Sequence, residues 1–537
     1  MRPTVPIDPT PDAILLPGRV LTMDEGPGPA EALAWRAGRI VAVGPRAEVL
    51  ALRGPGTRVL EAPDACALPG FHDAHLHLTM HGLELDQVPL HEAATLDDGL
   101  ALVAAAAARQ PEGSWILGAG FALQRWGVTA LHRRDLDRVA PRHPVLLRSQ
   151  DHHGAWANSA ALALAGVGAA TPDPEAGVVV RDADGEPTGM LLETALELVQ
   201  RAVPQPDGAA LARALDAAGR HLASLGVTTV HHMAAEPSAF WRAIASRASG
   251  HDGGGPYPLR VWSCIPHADL EHAAAIGLAG GQGGERFVVG GAKFFADGAL
   301  GSRTAWMQDP YPDGGVGVAV DGPEVLRERY RLAAEAGFAP VTHAIGDAAN
   351  RAVLDALEAT ADAWRGARLR PRVEHAQHLD AVDAARIGRL GAVASVQPIH
   401  LTFDAPSVRA LFPTRSERAY RLRDLLAGGA VLAFGSDTPV ASPDVIAGIR
   451  AAVTRMGVDG EPLAADQALT VDEALRAYTV GAAYAIGREA RSGVLRVGAD
   501  ADVVLLSHDP RAGLDDLAVV ATVMGGEVTF DAGGLAG

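Results

Sequence analysis

The chain has 537 residues, of which 48% are hydrophobic and 20% charged, with a formal net charge of −18. That length exceeds one ordinary domain, and the acidic balance argues against a nucleic acid or anionic membrane partner, since either requires a basic face. Only two cysteines occur, Cys66 and Cys264, which excludes a disulfide scaffold and a thiolate zinc site.

Residues 1–10 carry one Arg, three prolines and no apolar core of signal-peptide type, and no run approaches the roughly 18 apolar residues of a membrane span. A cytoplasmic protein is expected. Residues 12–66 read as short strands at 13–16, 19–22, 31–35 and 39–44, parted by glycine turns. The C-terminal runs 501–506 and 517–524 read likewise, so residues 1–66 and about 488–537 are expected to form one small β-sandwich. Cys66-Ala67-Leu68 opens an apolar stretch that reads as one buried strand ending in the Phe71-His72-Asp73-Ala74-His75-Leu76-His77 segment. The gap from about 79 to 206 is too long for a loop. It has strands of its own at 114–117, 145–148 and 177–181, and is expected to be an insertion domain over the mouth of the central fold.

Further strands are predicted at 226–231, 259–265, 288–296, 339–343, 371–375, 392–397 and 430–436, mostly with alanine-rich helices between, such as 323–336, 348–364 and 381–390. With the strand ending at His77 they number eight, the count of a closed (β/α)₈ barrel over 67–487. Catalytic groups of such barrels sit at the strand C-terminal ends. His75 and His77 lie on one strand face about 7 Å apart, close enough to share one divalent ion. His343, His375 and Asp437 each close a later apolar run. Imidazole nitrogen with carboxylate oxygen suits zinc and similar ions, and five ligands exceed the needs of one open tetrahedral site. A second ion needs a bridging anion, which Lys293 offers. It sits mid-strand among apolar residues, where desolvation favours a neutral amine able to add carbon dioxide and form a carbamate. The plainer alternative is an ion pair with a buried carboxylate such as Asp297.

The chain resembles the amidohydrolase superfamily, and within it the branch containing N-substituted formamide deformylase. The resemblance rests on Pro69 to His77, Lys293 to Gly298, Gly301 to Ala305, Glu374 to Gln377, Ser395 to Pro398, Phe434 to Pro439 and the returning run 498–506. It implies a TIM-like metal-dependent hydrolase barrel with two divalent ions, zinc being expected. His75, His77 and Asp437 would hold one ion and His343 and His375 the other, with carboxylated Lys293 and a hydroxide bridging them. The implied reaction is hydrolysis of a C–N bond other than a peptide bond in a small-molecule substrate, Asp437 moving the proton. Candidate substrate contacts are His153, Asp297, Arg303 and His400, while Asp73 is expected to orient a ligand. A homodimer is left open. His232 follows His231 where relatives often carry Asp, and His152 replaces a usual Gly. A mononuclear deaminase and a non-catalytic binding relative are the competing readings. The deaminase group usually carries a Glu three residues after the fifth-strand histidine, where this chain has Gly346.

Overall fold

The fold was analysed in a computed structural model describing residues 10–26, 30–149, 154–174, 177–234, 238–251, 253, 255–312 and 314–535. It divides into two compact units, Met1–Leu78 with Ala218–Gly537, and Thr79–Ala217. The second boundary falls inside the helix Gly208–Ser224, eleven residues beyond the position expected near 206, because a continuous helix carries no break signal where its contacts change.

The larger unit contains eight strands in one parallel sheet, in chain order: Phe71–Leu76, Val227–His232, Arg260–Pro266, Phe287–Phe295, Pro340–Ala344, Arg372–His375, Val393–Val396 and Val431–Phe434. The two edges are stitched together past their ends, where the Asp437 amide donates to the His75 carbonyl (2.6 Å) and the His77 amide to that of Thr438 (2.9 Å). This is a TIM-like barrel. Its strands are near-continuous apolar runs because both faces are covered. The helix expected over 348–364 is divided into Asp347–Ala359 and Ala361–Gly366. At the break, the Thr360 hydroxyl donates to the Ala356 carbonyl (2.8 Å), a local bond that competes with helix continuation.

The same unit holds a seven-stranded sheet drawn from both ends of the chain, in the order Glu527–Asp531, Val519–Met524, Val503–Leu506, Arg58–Pro69, Ala13–Val20, Ala32–Arg36, Arg39–Gly44. Alternation divides its side chains: Ala13, Leu15, Leu33, Trp35, Leu60, Val503, Leu505 and Val523 share one core. Ile14, Leu16, Ala32 and Ala34 turn to the other face, against Val49. Cys66-Ala67-Leu68 belongs here and not to the first barrel strand as expected. These residues pair with Leu506, Leu505 and Val504, whereas Phe71 pairs with Val227, so partners change across Pro69-Gly70. The sheet is tied to the barrel by Arg260, whose Nε and Nη2 donate to Asp502 (2.7 and 3.0 Å).

The smaller unit is built on a six-stranded mixed sheet ordered Gly177–Arg181, Pro187–Glu193, Gly154–Ala157, Val145–Ser149, Ile116–Phe121, Val88–Pro89. Its long helix Leu96–Arg109 starts at Thr95, which forms a reciprocal capping box with Asp98. Among the described residues, no helix is long and apolar enough to cross a membrane.

Candidate metal centre

The C-terminal ends of the first and eighth barrel strands are held in register by Asp73. Its Oδ1 accepts the amides of His75 (3.1 Å) and Ser436 (3.0 Å), and its Oδ2 accepts the Ser436 hydroxyl (2.5 Å). The turn at 435–437 lies so close that a Cβ on Gly435 would stand 2.4 Å from the His75 nitrogen. Asp437 has a left-handed backbone, φ 62°, and His375 at the end of the sixth strand has φ 69°. Such conformations cost a non-glycine residue about 1–3 kcal/mol each and persist where the surroundings enforce them. The result places Asp437 Oδ1 at 3.3 Å from both His75 Nε2 and His77 Nε2.

Neighbouring acceptors fix which nitrogen of three histidines carries the proton. His75 Nδ1 lies 2.7 Å from Glu374 Oε2, His375 Nδ1 2.7 Å from Gln397 Oε1, and His343 Nε2 2.9 Å from the Gly298 carbonyl. The Gln397 amide nitrogen faces the Ser395 carbonyl at 3.4 Å, which sets its orientation. These contacts occupy Nδ1 of His75 and His375 and Nε2 of His343, so the nitrogens left for a cation are His75 Nε2, which faces Asp437 Oδ1, His375 Nε2 and His343 Nδ1. Ring centroids are 4.9 Å apart for His75 and His375, 4.4 Å for His343 and His375, and 6.0 Å for His75 and His77. One donor atom each of His75, His375 and Asp437 lies within 4.8 Å of the others. Oriented imidazoles and a carboxylate, with His75, His375 and Asp437 buried and His343 half-buried, fit a divalent cation.

Lys293, on the fourth strand, is only 2% exposed, and its Nζ stands 5.0 Å from the centre of the Phe295 ring. Burial pushes its ammonium below the ordinary lysine value, against the opposing pull of Glu374 and Asp437. Burial, then the nearby Lys293, lowers His343 to about 4. For Glu374 burial acts upward, but Arg372 and His75 outweigh it and hold the carboxyl at about 2. Asp437 is likewise held well below the usual carboxylate range, His75 and His77 overcoming burial.

These shifts predict how the metal-free protein responds to acid. Burial lowers His72 to about 3 and His378 to about 3, besides His343, and carries His231 and His375 well below 6.5. Each stays neutral when folded but is protonated when unfolded below about pH 6.5, so the unfolded state binds more protons and stability falls as pH falls. Asp73, raised by burial to about 6, and Asp297, raised to about 7, act oppositely, as do Glu84 and Asp404, also raised by burial. With His221, which burial also lowers, these are four carboxyls against six histidines. The midpoint of thermal unfolding of the metal-free protein should therefore drop between about pH 6.5 and 4.5. A level or rising midpoint over that range would refute the assignment of neutral buried histidines.

The other expected site residues are placed differently. The carboxylate of Asp297 is engaged by the backbone amides of Trp306 (2.9 Å), Ile345 (3.0 Å) and Gly346 (2.8 Å). It thus brackets the segments around His343. His400 Nε2 meets the Ser436 carbonyl at 3.0 Å, with its ring 6.4 Å from that of His375, beside the exposed Phe403 at 5.4 Å. Arg303 is exposed in the loop after the fourth strand, with φ 55°. His153 and His152 lie outside the described residues. His232 accepts the Leu78 amide at its Nδ1 (3.2 Å), a link within the wall of the barrel. The sequence reading missed Arg372, Glu374 and Gln397 as orienting groups. A signal was present, since Arg372 and Glu374 are two apart on a four-residue strand and so share a face of the barrel.

A profile of the amidohydrolase family matches residues 58–530. The Arabidopsis thaliana protein LONG AFTER FAR-RED 3 is 34% identical over 97% of this chain and 91% of its own length. N-substituted formamide deformylase of Arthrobacter pascens is 29% identical over 97% of this chain and 98% of its own. An uncharacterized metal-dependent hydrolase from Pyrococcus horikoshii superposes with a TM-score of 0.77 at 27% identity, covering 93% of this chain and 98% of its own.

Proposed function

This chain belongs to the amidohydrolase family and is a metal-dependent hydrolase, and from that premise we propose that it cleaves the C–N bond of an amide or formamide, other than a peptide bond, in a small molecule. The observation that carries this reading is the buried group of His75, His375 and Asp437, with the half-buried His343 ring 4.4 Å from that of His375, beside a lysine only 2% exposed. His75, His77 and Asp437 would hold one divalent ion, and His343 and His375 a second, zinc by donor type. Such ions, when bound, lower the pKa of water towards neutrality and polarise a substrate carbonyl.

The side chains themselves do the rest. The neutral amine of Lys293 adds carbon dioxide and loses a proton, giving a two-oxygen anion in place of a cation. Asp437, ionised at neutral pH, takes the proton of the attacking water and delivers it to the departing nitrogen. That delivery favours a C–N substrate, because an amine leaves poorly without a proton. His400, Arg303 and Asp297 remain the candidate substrate contacts, as does His153 outside the described residues. The similarity to N-substituted formamide deformylase over nearly the whole chain supports a formamide or a related amide as substrate.

A mononuclear deaminase is disfavoured at Gly346, where a Cβ would stand 1.9 Å from the Trp306 carbonyl oxygen, leaving no room for the Glu of that group. Elemental analysis of the purified protein should find about two metal equivalents. A panel of N-formyl amines, amides, lactones and esters should give turnover with the first two. One equivalent together with ammonia release from an amino-heterocycle would replace this reading with the deaminase, and no metal with no turnover would favour a binding protein.

A further inference from the structure

A buried chain of polar side chains leads from His75 back towards the start of the first barrel strand, and Arg372 is its hub. The Arg372 Nε and Nη2 donate to the two oxygens of Glu374 (2.8 and 3.1 Å). Nη2 also reaches the Ala74 carbonyl (2.6 Å) and the Ser395 hydroxyl (2.9 Å), and Nη1 the Nδ1 of His231 (3.0 Å). The guanidinium carbon lies 5.3 Å from the centre of the Trp262 ring. One fully buried side chain thereby joins the first, second, third, sixth and seventh strands.

Because a guanidinium only donates, the direction of the chain is fixed. His231 Nδ1 accepts from Arg372, which leaves its Nε2 to donate towards His72 Nδ1 at 3.4 Å. His72 Nε2 then donates to Ser492 Oγ at 2.8 Å. On the other side, Glu374 has both oxygens held by the arginine fork and accepts a hydrogen bond from His75 Nδ1–H at 2.7 Å. A buried ion pair of this kind is seldom a net source of stability, since apolar residues of the same volume often do as well. Its distinctive property is directional. A planar fork allows one orientation of the carboxylate, whereas a single bond would let it swing.

We propose that Arg372 is a positioning residue for the metal centre. It locks Glu374, and through it the Nδ1 proton of His75, so that Nε2 is the nitrogen offered to the cation. It also links metal binding to the packing of five barrel strands. This rests on the metal-dependent reading above.

The test uses R372K, which keeps the charge but loses the fork, and the double variant R372M/E374Q, which leaves no unpaired buried charge. Zinc affinity is measured by chelator competition, the visible spectrum is recorded after cobalt substitution, and the gain in melting temperature on adding zinc is compared. Loss of an outer partner of a metal-binding imidazole typically weakens metal binding about 10–100-fold. Both variants should show a loss in that range, an altered cobalt spectrum and a smaller zinc-induced gain in melting temperature. If R372K fails to fold, the double variant decides. Wild-type affinity and an unchanged cobalt spectrum in a folded variant would overturn the role of Arg372 alone. A wild-type protein that binds no zinc or cobalt would overturn the metal reading and this inference together.

Discussion

Lys293→Ala is expected to lose at least one metal equivalent and to reduce turnover by at least about 100-fold, more than the loss of an outer partner would cause. The residue is enclosed, 2% exposed, and feels Glu374 and Asp437 across the barrel. An unmodified ammonium there would face two cations in a site with little water to screen it, and it would carry the cost of desolvation as well. Conversion to a carbamate removes both penalties by reversing the sign of the charge. Alanine leaves a gap of roughly the size a short carboxylic acid can fill, so acetate or propionate at high concentration should restore part of the activity and metal content. The variant would disprove the bridging role if it kept both metal equivalents and full activity with no acid added. A plain amine at Lys293 in the metal-loaded protein would disprove it too.

The second large effect is expected at Asp437. Asp437→Asn keeps an oxygen facing His75 and His77 but removes the basic group, so turnover should fall by about 10²–10⁴ with metal content largely kept. The backbone does not confound this test. Asp437 has φ 62°, and Asn is among the few side chains that adopt the left-handed region readily. Loss of turnover would thus report proton transfer and not a distorted turn. A rate near that of the wild type would move the shuttle to another group, and complete loss of metal would make Asp437 a ligand first.

Much of the barrel was legible in the sequence because a parallel strand covered on both faces must be an apolar run. Each run here is cut short by a residue type that apolar packing does not tolerate. His343, His375 and Asp437 stand out in this way, and the structure places them together with His75 and His77. Lys293 was conspicuous for the same reason, being a charge with no solvent to meet it. Strand limits at 227–232, 260–266 and 340–344 differ from the predicted ones by about a residue, since the flanking Gly and Pro mark the ends only loosely.

Tertiary structure alone decided the rest. Nothing local in Cys66-Ala67-Leu68 says that it pairs with Val504–Leu506, more than four hundred residues away, because strand partners are chosen by the packing of whole faces. The amides that engage Asp297 come from Trp306, Ile345 and Gly346, so how its carboxylate is held depends on how two loops close around His343. The same holds for the proton on each histidine, set by Glu374, Gln397 and the Gly298 carbonyl. A sequence shows which residues can bind a metal ion. Which lone pair each one offers depends on the acceptor beside it, and that neighbour comes from another strand.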